Sequence, residues 1–110
     1  IHADLHADHP LDLPPDVEAL LFRVAQESTR NVISHAGATM VHIEVKTDEE
    51  RVTMTVSDNG KGFDSSGDQS VYDGHFGLRA MESLTEDAGG AFKLNSTPGE
   101  GTTVTVRIPS

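Results

Sequence analysis

Cysteine and tryptophan are absent from this 110-residue chain, and tyrosine occurs once. Without thiols there are no disulfides and no thiolate zinc sites, and cysteine usage leaves the redox compartment open. Basic residues are scarce: eight Lys and Arg stand against 18 Asp and Glu, a formal charge of −10. Such a surface repels phosphate backbones, which argues against a nucleic-acid partner. A small polyanion stays admissible only where a metal ion and local backbone N–H groups offset the repulsion. No apolar run approaches the ~20 residues of a membrane span, and no secretory leader is visible. The length suits one domain, residues 1–110, able to bury about two-thirds of its unfolded surface. Because it opens on Ile1 rather than Met, the chain reads as a piece of a longer protein.

What is present is strongly patterned. Ile1, Ala3 and Leu5 alternate with His2, Asp4 and His6, as in a strand with one wet face. His2, His6 and His9 carry metal-compatible spacing for a helix, but the alternation favours a strand with solvated histidines. Pro14 and Pro15 suit a helix start and Asp16 suits its positive end. Val17, Leu20, Leu21, Val24, Ser28 and Val32 then form one helical stripe, ending near Ala36 with Gly37 as C-cap. Val41, Ile43 and Val45 alternate with polar residues, TDEE turns, and Val52, Met54 and Val56 alternate again, predicting an antiparallel hairpin. Residues 64–76 are polar and aperiodic and read as a mobile loop. A second helix is predicted from about Gly77 to Ala88, with Leu78, Met81, Leu84 and Ala88 inward and Gly89 and Gly90 ending it. Two more alternating runs, around Phe92–Ser96 and Val104–Ile108, flank the turn PGEG. The order predicts an α+β fold: a two-layer α/β sandwich, its mixed, mostly antiparallel sheet covered on one face by helices.

Four segments carry chemistry. In SDNGKGFD, Asp58 continues the inward phase of Val52, Met54 and Val56, and an isolated buried carboxylate needs donors. It either starts a turn by bonding the backbone ahead of it or waits for the N–H of a ligand. Gly60 and Gly62 let backbone approach a flat ring or phosphate. The segment is not a P-loop, not a dinucleotide fingerprint and not an EF-hand. In QESTRNVISHA, Glu27, Asn31 and His35 are four apart and share one flank of the helix. Taken alone this is a polar helix edge. Yet an amide oxygen can ligate Mg²⁺ without adding charge, while a neighbouring acid orients or deprotonates a nucleophile. GHFGLRAM opens a helix on glycine after the loop, leaving N–H groups for an anion. PGEGTTV sets the Thr102 hydroxyl at a strand start.

In this order the segments resemble the ATP-binding catalytic domain of two-component sensor histidine kinases, in the GHKL superfamily with its Bergerat fold. QESTRNVISHA looks like the N box, DNGKGF and GHFGL the two glycine boxes, and GEGTTVTVRIP the closing segment. QE…N…HA with GL-x-x-M is most similar to the NarX/DesK-like subclass. The resemblance implies an enzyme part, a protein histidine kinase very slow alone. It would bind Mg·ATP and donate the γ-phosphate to a histidine on a separate dimerisation and phosphoacceptor domain. A response regulator with a helix-turn-helix output would be the next partner, with no direct membrane contact and a cytoplasmic location. Residue by residue, it implies that Asp58 accepts the adenine amine and that Thr102 assists. Gly60 and Gly62 line the adenine and ribose side, and His35 lies within the same ATP-binding box. Asn31 ligates Mg²⁺, Glu27 positions or activates the acceptor, and Gly77 and Leu78 offer backbone N–H groups to phosphate. Residues 64–76 correspond to the lid.

Three positions depart from the pattern. Ser34 stands where relatives often carry a basic residue, Phe76 is inserted before Gly77, and Ser83 follows Glu82 where many have Arg. Phe76 would either plug the empty cleft or clamp a nucleotide. Two other functions fit the fold: a degenerate docking module that no longer uses ATP, and an anti-sigma-factor serine kinase. Intact Glu27, Asn31 and Asp58 argue against the first, and GL-x-x-M against the second.

Overall fold

A computed structural model describes residues 2–7, 13–31, 39–60, 76–97 and 99–109. The chain runs β1 (His2–Ala7), α1 (Pro15–Asn31), β2 (Met40–Thr47), β3 (Arg51–Asp58), α2 (Phe76–Asp87), β4 (Ala91–Thr97) and β5 (Gly101–Pro109). The five strands form one sheet in the order β1-β2-β3-β5-β4. β1 pairs with β2 in parallel, and every other neighbour is antiparallel. This is the mixed, mostly antiparallel sheet that the alternating runs predict, with β1–α1–β2 as its one parallel crossover.

The inward residues of three strands meet two helices. Val41 and Val45 of β2, Val52, Met54 and Val56 of β3, and Val104, Val106 and Ile108 of β5 are buried against Leu21 and Val24 of α1 and Met81 of α2. Burial of each such side chain contributes roughly 1.5–3 kcal/mol. The helices lie over β3, β5 and β4. On the edge strand β1, Ala7 packs against this core, while Leu5 is 66% exposed although the alternation marks it as inward.

Local rules set the ends. Pro15 and the acids Asp16 and Glu18 occupy the first turn of α1. The expected helix end at Ala36 and Gly37 lies outside the described residues. α2 begins and ends one residue earlier than its periodicity suggests. Gly89 takes φ +80°, and the Gly90 N–H donates back to the Thr85 carbonyl at 2.9 Å, closing the helix. Because the chain turns there, Ala88 is exposed, and Thr85 fills the inward place expected of it. Between β2 and β3, Asp48 Oδ1 accepts the N–H groups of Glu50 and Arg51, each at 2.8 Å. These donors hold its carboxyl below the usual range.

Gly101 fixes how β5 meets β3. Its φ is +84°, and a Cβ there would sit 2.1 Å from the Asp58 carbonyl oxygen. Gly99 has a similar φ of +82° with nothing within 4 Å of its would-be Cβ. Gly101→Ala therefore meets both backbone strain and a collision, whereas Gly99→Ala meets strain alone. Thermal denaturation should show Gly101→Ala losing about 3 kcal/mol or more, and Gly99→Ala about 1–2 kcal/mol. Equal losses would remove the close approach as a constraint.

On the open face, His42 Nδ1 lies 2.5 Å from Asp4 Oδ1 across the β1–β2 pair, and its Nε2 lies 3.6 Å from Glu44. Lys46 reaches Glu44 at 3.1 Å. The hydrogen bond to Asp4, with a smaller contribution from Glu44, raises the His42 pKa above its ordinary 6.5. A raised folded-state pKa makes this link fully present below the unfolded value, and it is lost as pH rises through the folded value. In an NMR titration the His42 midpoint should lie above 6.5 and fall in Asp4→Asn. A midpoint unmoved by that substitution would disprove the pairing.

Candidate functional site

Asp58 is the last residue of β3 and is opposite Val41 of β2. The β3–β5 register ends at Ser57 and Thr103, so Asp58 and Thr102 come next on the inward face, and Ser96 of β4 is opposite Thr102. One row at one end of the sheet thus holds Val41, Asp58, Thr102 and Ser96. Asp58 is half-buried, and its Oδ1 accepts the Gly60 N–H at 2.8 Å. Among the described residues, Oδ2 makes no hydrogen bond. The two readings of this carboxylate therefore coexist: one oxygen starts the turn and the other is left for a donor.

Asn59, which sequence reasoning passed over, anchors that turn. Its Oδ1 accepts the N–H groups of Thr39 and Met40 at 2.9 and 3.0 Å, and its Nδ2 donates to Thr39 Oγ1 at 2.9 Å. One amide side chain therefore ties the start of β2 to the end of β3. Ser96, also passed over, supports Thr102. Its buried hydroxyl donates to the Gly101 carbonyl at 3.1 Å, so in its 2.8 Å contact with Thr102 Oγ1 the threonine is the donor. That leaves Thr102 Oγ1 with acceptor capacity. Gly60 is buried beside this row.

The helices bring the remaining parts to the same end. A groove is lined by Val17 and Leu20 of α1, Leu84 and Asp87 of α2, and Ile108 and Pro109 of β5. The start of α1 and the end of α2 therefore share the end of the sheet far from Thr102. α1 rises 1.5 Å per residue, so Glu27 and Asn31 are carried back toward Asp58, and α2 returns its first turn, with Gly77 and Leu78, to that side. No acid occupies the first turn of α2, which leaves its positive end to an anion. The Glu27 side chain is only 13% exposed and pairs with Arg30 one turn on, itself 69% exposed. That hydrogen bond and the charge of Glu27 raise the Arg30 pKa. Arg30 was not singled out in the sequence, although its i,i+3 spacing from an acid is the signal for such a pair. Asn31 is one turn beyond Glu27. His35, Gly62 and residues 64–75 of the expected lid lie outside the described residues, as does Ser34. Among the described residues no His, Asp or Glu cluster could hold a metal. None of their helices is long and apolar enough to cross a membrane.

Comparison with known proteins supports the fold and the family. The chain is 35% identical over 96 residues to the signal transduction histidine-protein kinase/phosphatase DegS of Brevibacillus brevis, covering 87% of this chain and 24% of that protein. It is 39% identical over 97 residues to the sensor histidine kinase MctS of Rhizobium johnstonii, covering 88% of this chain and 21% of that one. The chain thus spans about a quarter of such relatives. The likeness to DegS is consistent with the NarX/DesK-like subclass. In fold it resembles the histidine kinase domain of a blue-light activated histidine kinase from Erythrobacter litoralis. The TM-score is 0.79 at 24% identity, over 98% of this chain and 54% of the other. Residues 16–110 match the family described as histidine kinase-, DNA gyrase B- and HSP90-like ATPase, and the chain belongs to that family.

Proposed function

We propose that this domain binds Mg·ATP and presents the γ-phosphate to a histidine on a separate phosphoacceptor domain of a sensor kinase, for relay to a response regulator. The observation that carries this reading is the convergence at one end of the sandwich. The unbonded Asp58 oxygen, buried Gly60 and Thr102 share the end of the sheet toward which α1 carries Glu27 and Asn31 from the far groove, and on whose side α2 opens with Gly77 and Leu78. An acceptor-only oxygen suits the exocyclic amine of adenine. Thr102 completes the base contact. Gly60, with Gly62, leaves room for base and ribose, and His35 adds to the same ATP-binding flank. The opening turn of α2, through Gly77 and Leu78, takes phosphate. Mg²⁺ fits the site through the neutral Asn31 amide and the phosphates themselves, where it would offset charge in a chain of net −10. Glu27, held by Arg30 in a partly covered place, orients or deprotonates the acceptor. The acceptor histidine and the regulator, with a helix-turn-helix output, belong to the cytoplasmic side of the pathway.

Asp58→Asn replaces a pure acceptor by an amide that can also donate to guanine O6. It should weaken ATP binding strongly, leave the fold intact and narrow the preference for ATP over GTP. Calorimetric titration with both nucleotides checks this, and unchanged selectivity would refute the assignment.

Glu27→Ala and Asn31→Ala separate acceptor from metal. Asn31→Ala should remove most of the magnesium dependence of ATP binding. Glu27→Ala should spare binding and slow phosphotransfer in the full-length kinase by about 10²–10⁴-fold. If Glu27→Ala abolishes binding while Asn31→Ala keeps the magnesium dependence, the two roles are wrong.

A further inference from the structure

Ser96 of β4 is 8% exposed and touches two successive residues of β5. Its Oγ lies 3.1 Å from the Gly101 carbonyl oxygen and 2.8 Å from Thr102 Oγ1. A hydroxyl carries one proton and a carbonyl carries none, so the order of donors along these contacts is fixed. Ser96 gives its proton to Gly101, and Thr102 gives its own to Ser96. The carbonyl end is anchored, because a Cβ on Gly101 would sit 2.1 Å from the Asp58 carbonyl oxygen and the backbone there is held against β3. Thr102 therefore has no proton left to offer. Among the described residues nothing else bonds its oxygen, which keeps a lone pair for an outside donor.

That direction matters because of the neighbour. On the rung beyond the Ser57–Thr103 pair, Thr102 stands across from Asp58, and side chains directly opposite in antiparallel strands have Cβ atoms about 4.5–5.5 Å apart. Asp58 Oδ2 is also an acceptor, and among the described residues it makes no hydrogen bond. Two adjacent acceptors match a group with two N–H donors, such as a ring amine, and repel a ring carbonyl. A threonine with its proton to give would lack this preference, since its hydroxyl serves a carbonyl as well as an amine. We infer that Ser96 is a positioning residue for purine selection. By accepting the Thr102 proton it leaves Thr102 an acceptor only, so that Asp58 and Thr102 together choose the exocyclic amine of adenine over O6 of guanine. This deepens the nucleotide reading above and rests on it.

Ser96→Ala frees the Thr102 proton, which can then be donated to guanine. Calorimetric titration should show the affinity ratio of Mg·ATP to Mg·GTP falling by about threefold to tenfold, the range of one net hydrogen bond. Thr102→Val removes the hydroxyl itself and should also lower the ratio. On that background Ser96→Ala should change the ratio no further, because it acts through Thr102. Ser96→Thr keeps the hydroxyl and should keep the ratio. A serine that only secured the β4–β5 turn would alter thermal stability in Ser96→Ala and leave the ratio alone, and that result would overturn the inference. A water between Thr102 and the base both donates and accepts, so it would show as the same unmoved ratio. A further fall when Ser96→Ala is added to Thr102→Val would overturn the inference too. Should Ser96→Ala not fold, Thr102→Val decides alone, and a ratio at its native value in that variant sinks the idea. These outcomes leave Mg·ATP binding by the unaltered chain in place. Absence of that binding would instead bring down the nucleotide reading, and this inference with it.

Discussion

Where β3 stops and β5 begins, the α-carbon of Gly101 presses on the carbonyl of Asp58, with no room between them for a methyl group. Two strand ends that close must be placed together, and the rest of the site inherits the placement. The same carbonyl belongs to the residue whose carboxylate splits its two oxygens between the Gly60 N–H and open space. Thr102 follows Gly101 directly, and Ser96 holds both, donating to one carbonyl and accepting from the next hydroxyl. On the other flank, Asn59 ties the exit of β3 to the entry of β2. Backbone contact, two hydroxyls and one amide thus fix the direction of a single acid, an ordering cost met in the fold before any ligand arrives.

An acidic chain that binds a polyanion has to manage repulsion, and the fold does so by position. The charged side chains of β2, together with Asp4, sit on the open face of the sheet, opposite the helices. On the covered face, the proposed function gives Asp58 the base, where a negative charge would read a donor, and sets Glu27, with Arg30 beside it, nearer the phosphates. The opening turn of α2 has no acid at all. Net charge therefore says little about this site, and the arrangement of backbone dipoles says more.

The strands and helices were legible because their signals are local. Alternation in VHIEV and VTMTV, the proline pair before α1 and the glycine pair after α2 each act within a few residues. The inward phase of Asp58 was legible for the same reason. What escaped were contacts made across the chain. Asn59 bonds residues 19 and 20 positions away, and no periodicity marks that. Ser96 looks like one more alternating residue until β5 is set against it. Leu5 has the pattern of a buried residue, but burial depends on whether a helix reaches the edge strand, and here the helices lie over β3, β5 and β4. Ala88 was placed inward by extending a period past the point where Gly89 bends the chain. The family resemblance assigned segments to a nucleotide at once, yet it said nothing of Arg30.

The parts of the site are divided between two layers. Asp58, proposed to read the base, and Thr102 belong to the sheet, while Glu27 and Asn31 ride on α1, a rod about 25 Å long whose far end meets the groove beside Pro109. Helices on sheets pack through interdigitated side chains and yield by sliding more readily than by bending. A push on α1 near Pro15 would therefore move Glu27 and Asn31 along the sheet and leave Asp58 and Thr102 in place. In the proposed function, the distance between where a nucleotide is recognised and where its last phosphate is handled becomes a shear coordinate, with its handle at the end opposite the site.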